Sequence, residues 1–303
     1  MRPAIKKVKN FMLMVFACAW LAYSSCLNSA ENQNVQSPLR LGVYVNSLPD
    51  FSLAEIHTTT KLLVEELGQE MGIETQVSVY DDIQTLRSDF ESGRVNFVGA
   101  SSLIVAKEFD PKLLADGFRF VKISDTPDQI LILAQRKYGN VTLKDLRGKR
   151  LVLAETDPVA ELAIDYFSHV AFNQGYKTSF IQIPRERKTH QLLLKLFFDQ
   201  ADVTCVYQNA YQIAMELNPQ LQEKLQIVAH LEGIPQGTGF FHTETDPVFR
   251  EQVIGQVSQF HSTPRGQQLL EIFKADKAVR TTVADLLTVK KLYRDLQLWG
   301  GRK

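Results

Sequence analysis

The chain has 303 residues, 45% of them hydrophobic and 22% charged, with 34 basic against 34 acidic side chains. That length exceeds one ordinary core and suits two domains, at a prior of roughly 150 residues each, and the composition excludes a disordered or fibrous chain. A balance with no positive excess gives no electrostatic footprint for nucleic acid.

The first ten residues carry Arg2, Lys6, Lys7 and Lys9 with no acid, and residues 11–23 form an unbroken apolar run. That run is short of the about 20 residues a spanning helix needs and fits a signal-peptide core. The leader predicts an exported, periplasmic protein. Three fates stay open for it: cleavage after Ala30, lipidation of Cys26, or retention as an uncleaved membrane anchor. Loss of residues 1–30 leaves 30 basic against 34 acidic residues, a formal charge of −4. Of the three cysteines only Cys205 lies in the folded part, so no intrachain disulfide framework forms there, and its VTCV setting predicts an inert core thiol.

Beyond the polar stretch that follows the leader, residues 39–45 read as a strand. Ser52 with Glu55 forms a capping box that opens a helix running to about Met71. Residues 74–80 alternate as a second strand, 83–92 form a helix stopped at Gly93, 95–98 a third strand, and a helix follows from Leu103. This βαβαβα order predicts a mainly parallel sheet with right-handed crossovers and a ligand beyond its strand C-termini, at 45–51 and 99–102.

A further apolar strand at 130–134 precedes the stretch GKRLVLAETDPVAE. There a strand at 150–154 runs into Asp157 as N-cap and Pro158 as first helical residue. Such a turn aims several unpaired backbone N–H groups at one point and is a natural ligand seat. Strands at 179–183, 203–206 and 225–230 alternate with helices at 190–198 and 208–217. The Gly- and Pro-rich GIPQGTGFF from Gly233 suits a chain crossing back between lobes. The remainder reads as helices at 248–261, 266–273 and 283–298, with no strand, packed on the first lobe. The boundaries expected are a leader at 1–30, a discontinuous lobe at 38–130 plus 240–303, and a second lobe at 131–239.

No GxSxG, Walker or HExxH sequence occurs, and the six histidines show no metal-ligand spacing. Neither catalytic residues, a metal nor a cofactor is expected.

The blocks TLKDLRGKRLVLAE and KTHQLLLKLFFDQADV, Ile234-Pro235, and TPRGQQLLEIF resemble, in order over residues 38–298, the periplasmic phosphate, phosphite and phosphonate solute-binding proteins of ABC importers. The resemblance implies a class II periplasmic-binding fold: two α/β lobes, two crossings, and a cleft that closes on a small ligand by hinge motion. It implies ligand contacts from Tyr44, Ser101 and Ser102 on one lobe and from Thr156, Asp157, His190, Tyr207 and Asn209 on the other. His190 stands where the family has a ligand-facing histidine, and Asp202 matches an acidic residue ahead of a second-lobe strand.

Other positions depart from the family. Its Ser-Thr-Ser-Gly phosphoryl turn is replaced by Thr156-Asp157-Pro158-Val159, its cleft tyrosine falls on Leu103, and its amine-binding acid falls near Asn209. Pro158 brings no N–H, and Asp157 lies between Glu155 and Glu161. Two like charges at about 4 Å repel by roughly 4 kcal/mol at an effective dielectric of 20. A helix terminus contributes at most about 2 kcal/mol. Charge alone therefore predicts an altered specificity, toward a neutral or amine-bearing ligand.

The same residues have structural readings: Asp157, Ser101 and Ser102 as caps, Tyr44 as packing, His190 as a surface helix start and Asp202 as a structural acid. Two functions follow from the resemblance: ligand capture for an ABC permease, or a sensory module reporting to a membrane partner such as a histidine kinase.

Overall fold

A computed structural model describes residues 38–47, 52–122 and 128–300. The leader, with Cys26 and Ala30, lies outside the described residues, as does 48–51 of the first strand-to-helix turn.

The chain begins with Leu39–Tyr44 (β1), Leu53–Met71 (α1), Thr75–Tyr80 (β2), Ile83–Glu91 (α2), Phe97–Ser101 (β3) and Ser102–Glu108 (α3). Alternation in β1 puts Leu39, Leu41 and Val43 on one buried face, and α1 covers it with Ile56, Leu63, Val64 and Leu67. The helix opens in the expected capping box of Ser52 and Glu55 and closes at Gly72, φ 66°. On the other face α2 comes so close that a Cβ on Gly42 would stand 2.6 Å from Leu86 Cδ1. Both β2 and β3 pair in parallel with β1. Two short strands follow, Leu114–Ala115 (β4) and Gly117–Val121 (β5).

After the first crossing the chain builds a second sheet from Gln129–Gln135 (β6), Arg150–Val152 (β7), Ile181–Gln182 (β8), Val203–Tyr207 (β9) and Leu225–Glu232 (β10). Their spatial order is β10-β6-β9-β7-β8. All seven residues of β6 are buried, as befits its continuous apolar run in the centre of the sheet. Between these strands lie Pro158–Phe172 (α4), Tyr176–Ser179 (α5), Thr189–Phe197 (α6), Gln208–Leu217 (α7) and Gln220–Lys224 (α8). Of these, α4 covers one face, with Val159, Leu162 and Phe167 near Ile130 and Ile132. On the other, Leu192, Leu193 and Leu196 of α6 and Tyr211 of α7 meet Leu131, Leu133 and Val206.

The chain returns through Gly237–His242 (β11), completing a first sheet of order β2-β1-β3-β11-β4. The two-lobed α/β architecture with helix-flanked sheets is thus present. The strands entered from a crossing, β6 and β11, run antiparallel to their neighbours. Strands of a βαβ unit end at the cleft edge, whereas a chain arriving from the other lobe starts there. Beyond the last β6–β10 pair, Gly233, φ 70°, and Ile234 donate backbone N–H bonds of 2.8 and 3.4 Å to the Asp128 carbonyl, which extends that ladder by one step.

The last segment contains Pro247–Ser258 (α9), Pro264–Ile272 (α10), Lys277–Thr281 (β12) and Leu287–Gly300 (α11). The expectation of a strand-free tail is corrected by β12, which pairs antiparallel with β5. Only Ala278 and Thr281 of KAVRT are fully buried, too little apolar alternation to announce a strand without the edge that β5 supplies. Val289 and Leu292 of α11 share a core with Leu103 of α3 and with Val159 and Leu162 of α4, so this helix bridges elements of both lobes.

Asp202, just before β9, accepts from Arg150 N (2.9 Å), Nε (3.0 Å) and Nη2 (2.8 Å) and from the Tyr138 hydroxyl (2.8 Å). It ties β7 to β9 and acts structurally.

Candidate functional site

The turn after β7 is built as its residues dictate. Asp157 accepts from Ala160 N at 2.9 Å, and Pro158 begins α4. Glu161, in the first turn of α4, accepts from the Tyr176 hydroxyl and pairs with Arg185. Arg185 also donates to the Ala154 carbonyl at 3.0 Å. Burial alone would raise the Glu161 carboxyl, but Tyr176 and Arg185 overcome it and hold it below its ordinary value. Glu155 lies 3.6 Å from Arg187.

These acids are compensated within the second lobe, and none of them lines the cavities described next. In this arrangement Glu161 faces Arg185, Glu155 faces Arg187 and Asp157 caps α4. Sequence counts charges but not the partners that neutralise them.

A cavity of about 450 Å³ lies between the lobes, within the range of roughly 300–1,000 Å³ usual for small-molecule sites. The first lobe supplies Leu41 and Val43 of β1, Ile56, Thr59, Thr60 and Leu63 of α1, and an aromatic wall of Phe97, Phe118, Phe120 and Phe273. Ring centroids along that wall are 4.7 Å apart for Phe97–Phe118, 5.8 Å for Phe118–Phe120 and 4.6 Å for Phe120–Phe273. The second lobe supplies Lys188, Thr189 and His190 at the start of α6. It also supplies the α7 stripe of Ala210, Ile213, Ala214 and Leu217, spaced to fall on one helical face. At Gly117 and Gly239 the backbones of β5 and β11 touch: a Cβ on Gly117 would stand 2.3 Å from the Gly239 carbonyl oxygen.

The charged side chains that line the cavity are basic, with their acidic partners just outside it. Arg119, Lys122, Lys188 and Lys274 line it with His190, and among the described lining residues there is no carboxylate. Arg119 pairs with Asp128, Lys122 with Asp276 at 3.3 Å, and Lys188 with Glu55 at 3.7 Å. The last pair joins α6 to α1 from opposite sides of the cavity. A smaller cavity of about 60 Å³ adjoins the first, sharing Arg119, Phe120, Lys122, Asn209, Gln236 and Gly237, and it adds Asp128 and Tyr207.

Of the eight residues expected at the site, His190 and Asn209 line the large cavity and Tyr207 and Asn209 the small one. Tyr207 is buried and donates to the Pro235 carbonyl at 3.4 Å; burial, helped by the charge of Asp157, pushes its phenol well up. The other five line neither cavity. Tyr44 packs beside the shared core, and Ser101 caps α3 by accepting from Ile104 N at 3.4 Å. Ser102 is fully buried, its Oγ without a hydrogen-bond partner among the described residues. Thr156 is half-buried in the turn that Asp157 caps.

Sequence reasoning missed the α1 face, β5 and Phe273. The GFRFV alternation and the α7 stripe were the available signals. Cys205 is buried, and burial first, then Asp157, raises its thiol well above the ordinary value, the reverse of an activated nucleophile. Among the described residues no group of three His, Cys, Asp or Glu is placed to hold a metal ion, and no helix is long and apolar enough to cross a membrane.

Comparison with known structures finds the same fold at low identity. PhnD1 from Prochlorococcus marinus, solved in complex with methylphosphonate, superposes with a TM-score of 0.61 at 14% identity, over 86% of this chain and 98% of that one. The binding-protein component of an ABC phosphonate transporter from Pseudomonas aeruginosa gives 0.61 at 12%, over 88% of each. A chloride-bound protein from Xanthomonas citri gives 0.64 at 14%, over 88% of this chain and 99% of that one. No curated protein sequence matches the chain. A family model described as "ABC transporter, phosphonate, periplasmic substrate-binding protein" matches residues 46–286. The chain therefore belongs to the periplasmic substrate-binding proteins of phosphonate-type ABC transporters.

Proposed function

We propose that the protein captures a small ligand in the large interlobe cavity and hands it to the permease of an ABC importer. As a member of its family it is a binding protein and not an enzyme. The observation that carries the reading is a cavity of about 450 Å³ walled by side chains of both lobes. A ligand there gains its full contacts only when the lobes are together, so occupancy favours closure.

His190 and Asn209, from the large cavity, and Tyr207, from the small one, serve as ligand contacts, while Ser101 and Asp157 act as caps and Tyr44 as packing. Specificity departs from that of a simple phosphoryl binder: the turn that would hold a phosphoryl group lines neither cavity, Asp157 already accepts from Ala160 N and Pro158 offers no N–H. Residues 1–30 direct the chain to the periplasm.

The test is a thermal-shift panel on the chain without residues 1–30, against phosphate, phosphite, phosphonates, sulfonates, amines and amino acids. A ligand at 100 times its dissociation constant adds about 2.7 kcal/mol, and His190→Ala or Asn209→Ala shrinks the shift. No response from any class overturns the reading.

A further inference from the structure

We infer that α11 is a strap that sets the angle between the two lobes, rooted beside the crossing that returns from the second lobe and anchored on that lobe by Trp299.

The root is fixed in the first lobe. Strand β12 pairs with β5, and the corner after it is closed by Asp285, which accepts from Thr282 N at 2.7 Å and from the Thr282 hydroxyl at 3.2 Å. Leu286 is fully buried. In the first turn of α11, Thr288 Oγ1 lies 3.2 Å from where a Cβ on Gly233 would stand, so the helix sets out from the end of β10.

The middle of the helix is buried among elements of both lobes, with Val289 and Leu292 in one core with Leu103 of α3 and Val159 and Leu162 of α4. At the far end the Trp299 ring stacks on His169 of α4, centroids 5.2 Å apart and planes 21° apart, and lies 5.5 Å from Tyr166. From Thr288 to Trp299 the helix rises about 16 Å. A rotation of about 15° about the crossing, the size of a rigid-body switch, would carry that end about 4 Å across α4 and unstack the rings. With both ends held, the lobes separate only by breaking the stack or by lifting Val289 and Leu292 out of the core. The strap therefore favours the angle at which side chains of both lobes wall the large cavity.

The test is small-angle X-ray scattering, without added ligand, of the chain lacking residues 1–30, which retains the compact unit Ser37–Lys303. Trp299→Ala should raise the radius of gyration by about 0.5–1 Å from roughly 19 Å while circular dichroism shows a folded protein. His169→Ala, which leaves α11 itself intact, should act in the same direction and decides the matter if Trp299→Ala does not fold. Trp299→Phe keeps a ring on α4 and should restore most of the wild-type radius. Trp20 is absent with the leader, so Trp299 is then the sole tryptophan. Acrylamide should quench its fluorescence more strongly in His169→Ala than in the wild type.

A wild-type radius in the folded alanine variants overturns the inference. So does quenching that His169→Ala leaves unchanged, because Trp299 is then not anchored on α4.

Discussion

Asp202→Asn isolates the joint that holds β7 against the second sheet. The Asp202 side chain is 6% exposed and accepts three bonds from Arg150 and one from Tyr138. Burial alone would raise its carboxyl, yet the Arg150 guanidinium and backbone N–H and the Tyr138 hydroxyl bring it down to about 2. Against an ordinary aspartate near about 3.9 that gap is worth roughly 2.5 kcal/mol in favour of the folded state at neutral pH.

The folded value is depressed, so this stabilisation is complete above about pH 4 and is lost as pH falls toward about 2. Asparagine keeps part of the hydrogen bonding but leaves Arg150 without its counter-charge. We expect the variant to lose roughly 2–3 kcal/mol at pH 7. Urea unfolding of both proteins, followed by circular dichroism at pH 7 and about pH 2.5, should show the deficit at neutral pH and its reduction by roughly two-thirds in acid. A deficit under about 0.5 kcal/mol at pH 7, or one that persists unchanged in acid, refutes the assignment.

Glu161→Gln should cost about 1–3 kcal/mol of stability through the loss of charge to Arg185 and Tyr176, with ligand affinity unchanged in titration. A tenfold change in affinity would mean that the acidic turn does face the ligand. Gly117→Ala forces a methyl group onto the Gly239 carbonyl and should destabilise by about 1–3 kcal/mol in the same unfolding assay, unless β5 and β11 separate without cost.

Local signals made much of the fold legible. The Ser52–Glu55 box, Asp157-Pro158 and the apolar run of β6 each specify a helix start or buried strand from a few adjacent residues. The site was less so, because its parts are distant in the chain. Phe97 and Phe118 stack between β3 and β5, and Phe273 joins them through Phe120 from the segment ahead of β12, where KAVRT gives little hint that a strand follows. The partners of the acidic turn are distant as well: Arg185, which neutralises Glu161, lies 24 residues away in an irregular segment. His190 and Asn209, which line the large cavity, each stand at or near the start of a helix, a position a sequence marks locally.

The hydrogen bonds from Gly233 and Ile234 to the Asp128 carbonyl carry the β6–β10 pairing one step past its last residues. The chain that leaves the second lobe is therefore held to its neighbour as far as Gly233, and β11 begins at Gly237. On that side any bend between the lobes has to fall within the three residues between, and Pro235 fixes the φ of the middle one.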